Sequence, residues 1–376
     1  MREIYLDNSA TTPVDEKVRE AMMEALGCYG NPSSLHSKGL EGERMVHAAR
    51  KQVAKALGAK EQEIYFTSGG TEANNTLVLG AALAKRRQGN RIVTTAIEHA
   101  SVLESVKFLE DQGFECAYVP PERDGNIDPG KVLDAVDGKT VLLSTMLVNN
   151  ETGAVLPVGE IAREAKRKAP GILAHCDAVQ AFGKLPVKVN TLGVDLLTVT
   201  AHKIYGPKGV GAFYRARQAR ILPLLHGGEQ QDKLRPGTEN TAGIAAFGEA
   251  CRLAEERREA DLAHAAKLNA CLRELLGGLP SVEINSPEDA LPYILNLSGN
   301  RARSEVMLHF LEQRGIYVSS GSACAKGEGS HVLKAMGLPD RRRDTALRIS
   351  FGRQNTEEDC AEFVKALREG LETLRY

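Results

Sequence analysis

Leu196 to Gly211 reads LLTVTAHKIYGPKGVG. Its first five residues are apolar or β-branched, the composition of a strand buried on both faces. Gly206, Pro207, Gly209 and Gly211 then interrupt any regular continuation. Lys203 stands between the two parts, at the mouth of the strand. Desolvation disfavours an ammonium there, so a lysine in that place is costly unless it has a task. One task rewards it: a lysine of lowered pKa attacks carbonyl groups and forms Schiff bases. A solvated lysine at a loop entrance is the plain alternative. The other strand ends decide between them.

Working outward, apolar runs and turn signals predict strands at 64–66, 92–94, 116–119, 141–147, 172–176, 196–200 and 212–214. Helices are expected at 15–27, 41–57, 72–87, 101–112, 128–136 and 157–168, stopped by Gly27, Gly58 and Gly113 where a C-cap is needed. This alternation specifies an α/β fold with a mainly parallel seven-stranded sheet covered on both faces. Ligands of such sheets bind at the carboxyl ends of the strands. After about residue 243 the pattern changes to a long helix (244–276, with a possible kink), short strands and a last helix, 356–374. Two domains are therefore expected: a large one over 15–250, and a smaller α+β one from 1–14 with 251–376.

Among the 376 residues, 48 basic side chains face 49 acidic ones, so no global field favours nucleic acid. The clusters Lys85-Arg86-Arg87, Lys166-Arg167-Lys168 and Arg341-Arg342-Arg343 read as solvated faces. No apolar segment is long enough for a membrane span and the N-terminus has no signal-like h-region, so a cytoplasmic location is expected. Seven cysteines, an odd number without CxxC spacing, argue against a disulfide framework and a zinc site.

The strand ends carry an unusual inventory. Thr67-Ser68-Gly69-Gly70-Thr71-Glu72 joins a strand to a helix, where backbone N–H groups can cradle an anion; a plain turn with a threonine cap reads equally well. It lacks both the P-loop ending and the dinucleotide fingerprint. Glu98-His99-Ala100-Ser101, Asn149-Asn150-Glu151 and His175-Cys176-Asp177-Ala178-Val179-Gln180 each end a strand. Taken singly they read as a cap, a turn and a buried carboxylate in need of a partner. Together with Lys203 they supply what pyridoxal phosphate needs: an anion site, a carboxylate for the pyridinium nitrogen and a Schiff-base lysine.

Asp177-x-x-Gln180 followed by His202-Lys203, with SGGTEANN, EHxS and VNNETG, resembles the class V aminotransferases and, more closely, the cysteine desulfurases. The resemblance covers nearly the whole chain. It implies the type I fold of pyridoxal-phosphate enzymes. It also implies that Lys203 carries the cofactor, Asp177 pairs with its ring nitrogen, Gln180 bonds the ring hydroxyl and His99 stacks on the ring and handles protons. Gly70, Thr71, Thr200, Ala201 and His202 would hold the phosphate end, Asn150 would touch cofactor and substrate, and Thr238 in RPGTEN would reach the phosphate of a neighbouring subunit. A homodimer is implied.

Ser319 to Ser330, SSGSACAKGEGS, surrounds Cys324 with glycines and small residues, as an exposed loop would, and Ser330 suits the N-cap of a following helix. Lys326 favours a thiolate. By resemblance, Cys324 is the residue that takes sulfur from L-cysteine as a persulfide, leaving L-alanine. Arg348 clamps the substrate carboxylate, and Asn150 and Asn31 orient the substrate. The segment after Cys324 is shorter than in the iron–sulfur desulfurases and the chain ends at Tyr376 without their longer tail. The implied acceptor is therefore either an iron–sulfur scaffold or a tRNA-thiolation enzyme. A selenocysteine lyase, an ordinary aminotransferase and a non-catalytic sulfur carrier are the rival readings; Cys324 separates the first two, and the Lys203, Asp177 and His99 set opposes the last.

Overall fold

The computed structural model describes residues 2–320 and 329–374. Strand β1 (Ile4–Tyr5) is followed by β2 (Ile64–Thr67), β3 (Arg91–Thr95), β4 (Glu115–Val119), β5 (Thr140–Met146), β6 (Leu173–Asp177), β7 (Leu196–Thr200) and β8 (Gly211–Arg215). β2 to β8 form one seven-stranded sheet in the order β2-β8-β7-β6-β5-β3-β4. All neighbours are parallel except β8, which runs antiparallel to both β7 and β2. The reason lies in the chain itself: the glycine-rich connection 201–210 is too short for the crossover that a parallel pair requires. β5 and β7 are buried along their whole length, as the apolar runs predict. Leu196, Leu197 and Val199 are fully enclosed, and each contributes roughly 1.5–3 kcal/mol by leaving water.

Two helix boundaries differ from expectation. The second helix starts at Ser37, not near residue 41, with His36 as its N-cap. Gly39 and Gly42, which weaken a helical reading, are needed there because the preceding loop crosses the first turns: a Cβ on Gly39 would lie 2.1 Å from the carbonyl oxygen of Ser34. The helix expected at 244–276 is one uninterrupted element, Thr241–Leu276, opened by the Asn240 side chain, which accepts from the N–H of Gly243 at 3.1 Å.

That long helix connects two cores. Ala265 still packs in the core of the large sheet, whereas Leu268, Leu272 and Leu276 belong to a second core. Strands β9 (Glu283–Ile284), β10 (Ile294–Ser298), β11 (Ile316–Tyr317) and β12 (Ala346–Ser350) build this second unit. β10 lies between β9 and β12, antiparallel to both, while β11 pairs in parallel with β1. Ile4 and Leu6 therefore sit in the second core, and the helix Glu357–Thr373 closes it.

Candidate active site

The carboxyl ends of β2 and β7 border one cleft of about 440 Å³. Gly70, Thr71, Thr200 and His202 all line it, together with Ser68, Gly69 and Lys208. The helix Gly70–Lys85 begins there without a side-chain cap among the described residues, which leaves its first N–H groups suited to an anion. Gly70 is tight: a Cβ would come 3.1 Å from Val179. His202 Nδ1 lies 3.3 Å from Thr11 Oγ1, and burial pushes its imidazole down to about 4, leaving it neutral. Ala201, buried at the turn after β7, supports this rim from behind.

Beside the cradle, Lys203 ends a short 3-10 turn, Ala201–Lys203. Its Nζ donates to the carbonyl oxygens of Ser9 and, at 2.6 Å, Ala10. Burial, then the cations of Arg348 and Lys184, push its pKa down to about 7, against the pull of Asp7 and Asp177. Gln180 Nε2 donates to the same Ser9 oxygen at 3.0 Å.

Asp177, the last residue of β6, is buried and forms no ion pair among the described residues. Its carboxylate accepts from Asn74 Nδ2 at 2.7 Å and from the N–H of Val179 at 3.0 Å. A buried carboxylate held only by neutral donors is suited to receive a pyridinium N–H. Asn74 also donates to Ser101 Oγ at 2.9 Å, which lies 2.8 Å from His99 Nδ1. His99 caps the helix Ala100–Asp111, its Nδ1 accepting from the N–H of Ser101 at 3.1 Å. That bond places the neutral ring's proton on Nε2. Burial, helped by Lys203, lowers the His99 pKa although Asp177 opposes it. Asn74 Oδ1 and Ser9 Oγ are buried without partners among the described residues. Anion cradle, lysine, buried carboxylate and orphaned polar atoms all fit pyridoxal phosphate.

The residue expected to clamp the substrate carboxylate lies on β12. Arg348 is buried, its Nη2 2.7 Å from Asp7 Oδ1 and its Nη1 donating to the carbonyl of Asn150 at 3.0 Å. Its Nε has no partner among the described residues. Arg348 also exchanges backbone hydrogen bonds with Ser319, of 2.7 and 3.2 Å. On the far side of the segment, Ser330 caps the helix His331–Ala335 by accepting from the N–H of Leu333, and its hydroxyl donates to Glu151. Burial raises the Glu151 carboxyl to about 7. Cys324 itself lies outside the described residues.

Two expected residues stand apart from this cluster within one chain. Asn31 is exposed in the loop before the second helix, its Oδ1 accepting from the N–H of Ser33 at 2.9 Å. Thr238 is exposed in the loop after Gly237. Conversely, sequence reasoning passed over Asn74, Ser101, Asp7, Ser9 and Lys184. Asn74 did leave a signal: it lies on the buried stripe of its helix with Leu77 and Val78, where a polar side chain needs a reason. Asp7 and Ser9 left none, since Ser9 acts through its carbonyl and Asp7 meets Arg348 from the other end of the chain.

Residues 4–363 match the family described as aminotransferase class-V. Over the full chain the protein is 42% identical to a cysteine desulfurase IscS of Dictyoglomus turgidum, covering 96% of that relative, and 42% identical to one of Methanosarcina thermophila, covering 93% of it. Among solved structures, a NifS-like protein superposes with a TM-score of 0.94 at 39% identity, over 99% of this chain and 100% of that one. Another, described as SspA in complex with cysteine, gives 0.83 at 33% identity, over 93% and 98%. The chain belongs to the class-V aminotransferases, in their cysteine desulfurase branch, and is a pyridoxal-phosphate-dependent enzyme.

Proposed function

We propose that the protein takes sulfur from L-cysteine, holds it as a persulfide on Cys324 and passes it to an acceptor protein, releasing L-alanine. What supports this most is the backbone pairing of Ser319 with Arg348: the segment carrying Cys324 leaves from beside the group suited to clamp the substrate carboxylate.

Pyridoxal phosphate, when bound, supplies a carbonyl for amines and a ring that draws electrons from the bonds of the substrate's α-carbon. Gly70, Thr71, Thr200 and His202 would hold its phosphate, Asp177 would accept its ring N–H, and the Gln180 amide would bond its ring hydroxyl. Arg348 exchanges Asp7 for the substrate carboxylate, which matches its planar fork. Lys203, its pKa lowered to about 7 by burial, takes the α-proton, and His99 donates or receives a proton at Nε2. At Cys324 the thiolate forms an S–S bond as the substrate C–S bond breaks.

The second substrate is a protein that offers a thiol: an iron–sulfur scaffold or a tRNA-thiolation enzyme. A homodimer belongs to this reading, supported by exposed Thr238 and by the apolar side chains of Met23, Leu26, Tyr29 and Leu35, all largely exposed in one chain. We assign the activity to the cytoplasm, where six free cysteines among the described residues would stay reduced. No described helix is long and apolar enough to cross a membrane.

The test is an absorbance spectrum before and after L-cysteine, with alanine and sulfide assayed in wild type and Cys324→Ala. Alanine and sulfide that both require Cys324 support the reading. Alanine formed equally without Cys324 would point to a different lyase.

A further inference from the structure

Lys184 is a second buried lysine beside the first, and no step above uses it. It is 7% exposed, and no carboxylate pairs with it among the described residues. Its Nζ donates to Gln180 Oε1 at 3.2 Å and stands 5.5 Å from the centre of the Tyr293 ring, a contact suited to a cation. Gln180 in turn donates to the carbonyl of Ser9, the oxygen that Lys203 also approaches. Lys184 and Lys203 line one small cavity of about 10 Å³, with Asn8, Tyr205 and Tyr293.

A buried cation without an anion costs enough that an apolar side chain would serve the fold better. Its retention next to a nucleophilic amine has a chemical use: a neighbouring positive charge keeps that amine unprotonated. The acceptors divide the same way. Lys203 meets two carbonyl oxygens, which the two N–H bonds of a neutral amine satisfy while its lone pair stays free. Lys184 has an amide oxygen and an aromatic face, the partners of an ammonium.

We propose that Lys184 carries the proton of this buried amine pair and so keeps Lys203 an uncharged nucleophile, ready to capture the cofactor. The inference rests on the reading of Lys203 as the cofactor lysine. Facing Lys203 are the cations Lys184 and Arg348, the carboxylates Asp7 and Asp177, and the imidazoles His99 and His202. Across the cavity, Asp261 and Arg353 pair with each other at 2.6 Å, and the Tyr205 hydroxyl, pushed up to about 12, stays neutral. Burial, then Arg348, lowers the Lys184 pKa to about 7 as well; both amines therefore titrate in the same range, and the acceptors decide which keeps the proton.

The experiment follows capture of pyridoxal phosphate by the cofactor-free protein, by absorbance, as a function of pH. In Lys184→Met the midpoint should rise by about one pH unit, slowing capture at pH 7 about fivefold and restoring it at higher pH. Lys184→Arg, a permanent cation, should keep the wild-type midpoint. A wild-type midpoint in Lys184→Met would overturn the proposal. Should that variant not fold, carbon-13 lysine spectra of the wild-type cofactor-free protein decide: Lys203 must lose its proton at lower pH than Lys184, and the reverse order overturns the proposal. Wild-type protein that captures no cofactor at any pH would instead sink the reading of Lys203 itself.

Discussion

Arg348 Nη2 lies 2.7 Å from Asp7 Oδ1, so the guanidinium proposed to clamp the substrate carboxylate is held by a carboxylate of the chain itself. This keeps a guanidinium with a 4% exposed side chain from standing uncompensated. It also makes substrate binding an exchange of one carboxylate for another.

Replacing Arg348 by lysine keeps the charge and removes the fork. We expect KM for L-cysteine to rise roughly tenfold to a hundredfold, since a charge-assisted hydrogen bond contributes about 1.5–3 kcal/mol. The cofactor spectrum should not change. Steady-state kinetics check this, and an unaltered KM would remove Arg348 from the substrate site.

Asn74 divides its two N–H groups between Asp177 and Ser101. Asn74→Ala should weaken cofactor binding about tenfold, through loss of a bond to a carboxylate. Fluorescence titration of the cofactor-free variant gives the number. Equal affinity would mean that Asp177 needs no such support.

Glu98 is fully buried, its Oε1 accepting from Thr95 Oγ1 at 2.7 Å and from the N–H of Met146 at 2.8 Å, while Oε2 has no partner among the described residues. Burial raises its pKa from 4.5 to about 8. A carboxyl raised in this way binds its proton more tightly folded than unfolded, so its contribution falls as pH rises from 4.5 to about 8. Glu98→Gln keeps the acceptor oxygen and does not ionise. Relative to wild type it should gain roughly 2–4 kcal/mol between pH 5 and pH 8, read from urea midpoints. A difference independent of pH would show Glu98 to be ionised throughout.

Ser330 ties the end of the Cys324 segment to Glu151 and caps the next helix. Ser330→Ala should cost about 1–3 kcal/mol, for the lost cap and for the buried carboxyl left without its donor. It should also lower kcat while KM for L-cysteine stays unchanged. Thermal unfolding and kinetics measure both. A fall in stability with kcat intact would make the anchor purely structural.

The candidate site was legible where it is local. Lys203, Asp177, His99 and Gly70 each stand at or just beyond the end of a strand whose apolar run announces it, and strand ends of a parallel sheet converge whatever else the chain does. By itself the sequence determined the seven strands, their alternation with helices and the residue types at the carboxyl edge. Hydrophobic period and turn chemistry act over a few residues, so they survive in one dimension. The tertiary structure alone decided what lies between those residues. Asp7 on Arg348, the Ser9 carbonyl under both Lys203 and Gln180, and Lys184 beside Lys203 join segments that no short-range pattern relates. The long helix Thr241–Leu276 reads in sequence as a helix with a possible kink, and only packing shows it uninterrupted and shared between two cores. Charge pairing and desolvation depend on distance through space, and the fold creates that distance.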